Sequence, residues 1–308
     1  MIPLIDRRIL LFGSQKIAID IINLIKKRKF CGMDMETYVY PELVGVITSD
    51  EERDRQGDNQ LVSEYCFQQG IPSFCFEGKI NTEIIKKMKP DIIFSVYYRK
   101  MIPKDVLSIP HMGCVNLHPS LLPKDRGPNP VYWCIRRGDK ITGTTLHYMD
   151  EGMDTGDIID QRQVRINNMA GFRLGEQLMK SGVDLFRSNY ADIMCGKNDR
   201  MEQDSTYIAP TCNILFNDLM RKINWTESAE SIINHIRAHT RPYSGSIAEN
   251  KNGGQTFLWK AEILHELRGN KGPGSYEIRN GDLIVQTYNS PIRVKDYTGE
   301  IKPKGRFV

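Results

Sequence analysis

The first half of the chain alternates short apolar runs with amphipathic stretches, and this alternation limits the fold more than any other feature of the sequence. Runs at 8–13, 43–48, 73–76, 91–96, 113–118 and 143–149 read as strands, and the stretches 16–28, 61–69 and 81–88 read as helices. Strands separated by helices of this size pair in parallel through βαβ units, so the expected class is α/β with a mainly parallel sheet. A helix over 172–194 closes this part, and a polar, irregular segment follows over 195–215. A further helix is expected over 228–238, with Trp225-Thr226 as its cap. The tail then changes character: TFLWKAEIL, YEIRNGDLIVQTY and SPIRVKDYT are strand-like runs broken by Asn-Gly, Gly-Pro-Gly and Ser-Pro turns. They predict a small antiparallel sheet or barrel. The boundary is placed near residue 205, giving domains over 1–205 and 206–308.

Charge and cysteine usage narrow the function classes. The net charge of +4 is too small to imply a polyanionic partner. The basic excess lies after residue 205, where 14 Lys and Arg face 10 Asp and Glu. That is slight against what binding a phosphate backbone demands, so nucleic acid is not the expected partner. The run Lys26-Lys27-Arg28-Lys29 closes a predicted helix, where cations suit the dipole. EERDRQGDN at 51–59 reads as a solvated loop of mixed sign. No apolar stretch approaches the ~18 residues a membrane span needs. The amino-terminal residues read as the lead-in to a buried strand rather than a signal peptide. The seven cysteines (Cys31, Cys66, Cys75, Cys114, Cys134, Cys195 and Cys212) are odd in number and form no C-x-x-C pair. That argues against a disulfide framework and a zinc site, and for a reducing cytoplasm.

Chemistry-bearing residues concentrate where GCVNLH ends and PSLLPKDRGPNP begins. In an open parallel sheet, ligands sit at the carboxyl ends of strands. Asn116 and His118 are two apart, so on a strand they share a face. An amide and an imidazole side by side suit acyl transfer: the amide donates to an oxyanion, worth roughly 3–4 kcal/mol in comparable sites, and the imidazole moves protons. The next predicted strand ends in DEGMDTGD, whose Asp150, Glu151, Asp154 and Asp157 could supply a carboxylate to His118. Other readings stay open on spacing alone. Asn116 and His118 also suit loop-stabilising roles, and a histidine among carboxylates suits a divalent ion, although no second histidine or tight acidic spacing supports one. A G-x-S-x-G elbow is absent around Ser120, as is G-x-G-x-x-G after the first strand, where the turn reads FGSQK.

Asn116-Leu117-His118-Pro119-Ser120-Leu121-Leu122-Pro123, followed some thirty residues later by Asp150 through Asp154-Thr155-Gly156-Asp157, resembles the formyltransferase family that uses 10-formyl-tetrahydrofolate. The resemblance implies a Rossmann-like catalytic domain and a smaller OB-like barrel. It implies Asn116, His118 and Asp154 as the catalytic set, and no metal. FSVYYRKMIP at 94–103 is similar to a segment of the sugar-nucleotide formyltransferases, as are RGPNPVYWCI at 126–135 and RAHTRPYSGS at 237–246. By that similarity Lys100, Met101 and Ile102 line the folate site, with Asp150, Glu151, Gly152, Met153 and Asp154 as its other wall. Tyr97, Tyr98, Arg99 and Ser120 are the expected contacts to a nucleotide-linked amino sugar. Pro128 stands where an Arg is expected, and PYSGS replaces PYPGA. Methionyl-tRNA formyltransferases share the core motifs and are the alternative. The small second domain could pair two subunits into a homodimer.

Overall fold

The computed structural model describes residues 4–27, 30–31, 38–49, 61–204, 206, 218–265 and 271–308. The chain forms two compact units. The first comprises 1–127, 143–164 and 178–211, and the second comprises 128–142, 165–177 and 212–308. The expected boundary near 205 falls among residues 205 and 207–217, outside the described ones. The same holds for the tract 51–59, for Arg28 and Lys29, and for Cys212 and the side chain of Cys31. Cys66, Cys75, Cys114, Cys134 and Cys195 are all thiols.

The first unit is built on β1 (Leu4–Gly13), α1 (Gln15–Lys27), β2 (Phe30–Cys31), β3 (Tyr38–Thr48), α2 (Val62–Gln68), β4 (Ser73–Cys75), α3 (Thr82–Met88), β5 (Ile92–Val96), α4 (Lys104–Leu107) and β6 (Cys114–His118). After α5 (Pro130–Arg137), in the second unit, come β7 (Ile141–Tyr148), β8 (Ile158–Arg165) and the long α6 (Gly171–Cys195). The strands run in the order β2-β3-β1-β5-β6-β7-β8, with β4 also on β3. β1 pairs in parallel with β3 and β5, and β5 with β6. β7 then reverses and pairs antiparallel with β6. Periodicity marks the helices and strands but not this reversal. α5 and β8 are elements that the alternation of apolar runs did not reveal.

Alternating side chains divide the sheet into two buried faces. Ile9, Leu11, Phe94, Val115, Leu117 and Leu146 pack with Ile17 and Ile21 of α1, Cys66 of α2, and Phe186 and Tyr190 of α6. Leu10, Phe12, Ile47, Ile93 and Cys114 pack with Ile85 of α3 and Val106 of α4. Both faces are therefore covered, and β5 is buried at every position, as a near-continuous apolar run requires. α3 begins at Asn81, whose side chain accepts from the N–H groups of Glu83 and Ile84 at 3.1 and 3.3 Å.

The second unit contains α5, α7 (Ala229–His239) and strands β9 (Ser246–Glu249), β10 (Gln255–Ile263), β11 (Ser275–Arg279), β12 (Asp282–Val285), β13 (Ile292–Thr298) and β14 (Lys304–Arg306). They form an antiparallel half-barrel sheet in the order β14-β11-β12-β13-β10-β9. Asn280 and Gly281 join β11 to β12 with φ of 53° and 85°, the conformation an Asn-Gly hairpin turn needs. Trp225, Ile232, Ile236, Leu258, Leu283, Val294 and Phe307 fill its core. The cap of α7 is Ser228, whose hydroxyl accepts from Ser231 N–H at 3.2 Å, and not Trp225-Thr226. Trp225 is committed to the core instead, stacked on Phe307 with ring centres 5.4 Å apart.

Candidate active site

The site lies wholly in the first unit, where β6 and β7 meet. Val115 and Leu117 point into one core, which leaves Asn116 and His118 together on the opposite side. The antiparallel register sets Asn116 across from His147, and His118 across from Thr145. The DEGMDTGD loop follows β7 and returns Asp154 to this spot at a φ of 55°. A non-glycine residue held there stores strain that its surroundings must offset. Gly156 is required in this loop because a Cβ would overlap the Tyr148 carbonyl oxygen.

The three expected catalytic side chains converge. Asn116 Nδ2 donates to Asp154 Oδ1 at 3.3 Å, and His118 Nδ1 lies 3.5 Å from Asp154 Oδ2. His118 Nε2 donates to the Asp125 carbonyl at 2.9 Å. The N–H of Gly127 donates to Asp154 Oδ2 at 2.9 Å, from a φ of 92° that glycine adopts freely. Burial by itself would raise the Asp154 pKa. The His118 ring and the Gly127 N–H oppose it, and the carboxyl is held below the ordinary carboxylate range. The group is therefore an anion at neutral pH, within reach of a ring nitrogen of His118.

Two residues were missed by sequence reasoning. His147 is 1% exposed, and its Nε2 lies 3.1 Å from Asn116 Nδ2 and 3.6 Å from Asp154 Oδ1. Gln203 is also buried: its amide donates to the carbonyls of Asp154 and Gly156 at 3.0 and 2.8 Å. Its oxygen accepts from Arg126 Nη2 at 2.7 Å, so one side chain ties the two loops of the site together. Pairing TGTTLHYM antiparallel to GCVNLH would have exposed His147. No local signal marks Gln203.

The remaining expected residues divide. Met101 and Met153 are exposed at 66% and 41%, apolar surface available to a flat ring. Ile102 is buried in the core against β1 and β5, and Lys100 Nζ donates to the Phe76 carbonyl at 2.5 Å. Asp150 accepts from Gly152 N–H and the Thr155 hydroxyl, shaping its own loop, and exposed Glu151 pairs with Lys104 at 2.5 Å. Tyr97 packs against one sheet core and Tyr98 against the other, the latter edge-on to Phe12 at 5.2 Å. Both hydroxyls are buried, which raises both phenol pKa values, that of Tyr98 to about 12. Arg99 is partly exposed beside them. Ser120 is fully buried, and its hydroxyl donates to the Lys124 carbonyl at 2.7 Å, so the structure places it inside the loop. Among the described residues, no cluster of three or more His, Cys, Asp or Glu could hold a metal ion. No described helix is long and apolar enough to cross a membrane.

A mainly parallel sheet with an amide, an imidazole and a half-buried carboxylate brought together where β6 and β7 meet is an arrangement suited to acyl transfer. Residues 9–181 match the formyl transferase family and residues 218–305 the formyl transferase C-terminal domain; the chain belongs to this family. A methionyl-tRNA formyltransferase of Carboxydothermus hydrogenoformans is 35% identical over 240 residues, covering 74% of this chain and 72% of the relative. One from Alkaliphilus oremlandii is 34% identical over 268 residues, 83% of each chain. Among solved structures, the fold matches WlaRD, a sugar 3N-formyl transferase solved in the presence of dTDP and 5-N-formyl-THF. The TM-score is 0.70 at 20% identity, over 96% of this chain and 99% of that one. It also matches an N-formyltransferase from Helicobacter canadensis in complex with folinic acid and dTDP-3-aminofucose. There the TM-score is 0.71 at 22% identity, over 93% and 98% of the two chains.

Proposed function

We propose that this protein is an N-formyltransferase that moves a formyl group from 10-formyl-tetrahydrofolate to the amine of a nucleotide-linked amino sugar, UDP- or dTDP-linked. The observation that carries the chemistry is the convergence of Asn116 and His118 on Asp154, at 3.3 and 3.5 Å. The folate supplies an activated formyl carbon. Its flat ring system has apolar surface to lie on at Met101 and Met153, with the Asp150–Asp154 loop as a wall. His118 takes the proton that the attacking amine releases and delivers one to the departing nitrogen. Asp154 orients the ring and stabilises its charged form. Asn116 donates an amide N–H to the oxygen as negative charge develops on it.

The sugar acceptor is supported by the near-complete overlap with two sugar N-formyltransferase folds. The RGPNPVYWCI segment, similar to those of sugar-nucleotide formyltransferases, points the same way, and the basic excess after residue 205, the feature that would suit a tRNA, is slight against what a phosphate backbone demands. Such a product serves surface polysaccharide synthesis, including that of lipopolysaccharide O-antigen, and would be made in the cytoplasm. The second reading, a methionyl-tRNA acceptor, is favoured by relatives at 34–35% identity. Turnover with 10-formyl-tetrahydrofolate and a panel of UDP- and dTDP-linked 3-amino and 4-amino sugars, beside charged initiator tRNA, separates the two. Formylation of the tRNA alone would overturn the sugar acceptor.

A further inference from the structure

His147 sits on β7 directly across from Asn116. Its two ring nitrogens have unequal neighbours. Nδ1 lies 2.8 Å from the Tyr148 backbone carbonyl. A carbonyl only accepts, so Nδ1 carries the ring proton, and in the neutral ring Nε2 is a bare acceptor. That acceptor faces Asn116 Nδ2 at 3.1 Å, while Asp154 Oδ1 faces the same nitrogen at 3.3 Å. Two acceptors thus flank one end of the Asn116 side chain. Only the amide nitrogen, with its two hydrogens, fits between them. The reversed amide would set its oxygen against a lone pair and a carboxylate.

We propose that His147 is a positioning residue for formyl transfer: as the Nδ1–H tautomer it holds the Asn116 amide with its nitrogen turned inward, keeping aimed the donor that the developing oxyanion needs. This rests on the functional reading above. In the resting site each amide hydrogen has a partner, so neither is left unsatisfied in a partly buried place. The bond to the neutral ring is the weaker of the two, and it is the one that yields when a charged oxygen arrives, because an ionised acceptor outcompetes a neutral one. The ring also stands 3.6 Å from Asp154 Oδ1 and confines the carboxylate from that side, while His118 faces Oδ2.

The test compares His147→Leu, which removes the acceptor, with His147→Gln, whose side-chain oxygen reaches the position of Nε2. The expected result is a kcat about tenfold lower in the Leu variant, the loss of one neutral hydrogen bond. KM for either substrate stays within about twofold, and the Gln variant recovers most of kcat. A purely structural role would lower the melting temperature of both variants without this recovery. Long-range proton–nitrogen spectra of the resting protein should show His147 as the neutral Nδ1–H tautomer, a readout that needs no turnover. An Nε2–H tautomer, wild-type kcat in the Leu variant, or a Gln variant as slow as Leu would overturn the assignment. Should the Leu variant not fold, the Gln variant and the ring spectrum decide. A wild-type protein that formylates no amine would overturn the catalytic role, and the spectrum distinguishes that failure from a misassigned ring.

Discussion

Each unit of the protein buries a pair of histidines, and the two pairs differ in what surrounds them. In the first unit the His118 and His147 rings meet edge to face, 6.4 Å between centres, and Asp154 lies 3.5 and 3.6 Å from one nitrogen of each. In the second unit His235 and His239 are one turn apart on α7, with ring centres 4.5 Å apart. Their nearest acceptors are neutral: His235 Nε2 donates to the Arg221 carbonyl at 3.1 Å, and His239 Nδ1 to the His235 carbonyl at 2.9 Å. Burial then dominates, and it lowers the pKa of His235 to about 4 and that of His239 to about 3. For His235, the Arg136 charge adds to burial, and Glu227 and the Arg221 carbonyl only partly oppose it. For His239, the His235, Arg221 and Arg136 charges add to burial. Burial alone makes a histidine a neutral packing residue. In the first pair an ionised carboxylate lies within reach of both rings instead.

The sharpest way to break this contrast is to remove the carboxylate. Asp154→Asn, like His118→Ala, should lower turnover by about 10²–10⁴ while folate affinity changes little. Steady-state kinetics beside equilibrium folate binding check this, and near-normal turnover would remove the distinction between the two pairs. Gln203→Leu should come next. It leaves two buried carbonyls and Arg126 without their amide partner, so unfolding in urea should show a loss of about 2–4 kcal/mol, with a lowered kcat.

A smaller effect is set by pH. His235 and His239 have folded pKa values below their unfolded value of 6.5, so the unfolded chain takes up protons first as pH falls. Their contribution is complete above that value and is lost as pH drops from it toward about 4, by at most about 1.4 kcal/mol per pH unit per histidine. Asp154 is also depressed, so its contribution survives to lower pH and is lost only below the usual carboxylate value of 3.8. Trp133, Trp225 and Trp259 all lie in the second unit, so tryptophan fluorescence reads that unit directly. Its denaturant midpoint should fall between pH 6.5 and 4.5, and His235→Gln should flatten the slope. A flat profile in the wild type would show that the pair is not held neutral. The smallest effect is expected at Lys104→Ala. Its ion pair with Glu151 is exposed at 75% and 68%, and the melting temperature should reveal no more than about 0.5 kcal/mol.

The local chemistry of this chain was readable from its order of residues. Two-residue spacing placed Asn116 and His118 on one face because a strand has that period, and the glycine-flanked loop offered four carboxylates, among which the family resemblance implied Asp154. The alternation of strands and helices implied the sheet for the same reason: short-range backbone geometry is written locally. Tertiary structure alone decided what meets across the site. The reversed register of β7 brought His147 opposite Asn116, and Gln203 arrived from 49 residues beyond Asp154. Ser120 and Ile102 turned inward when the first unit closed its core. These placements depend on which distant segments pack together, and a cooperative burial of that kind leaves no periodic trace in the sequence.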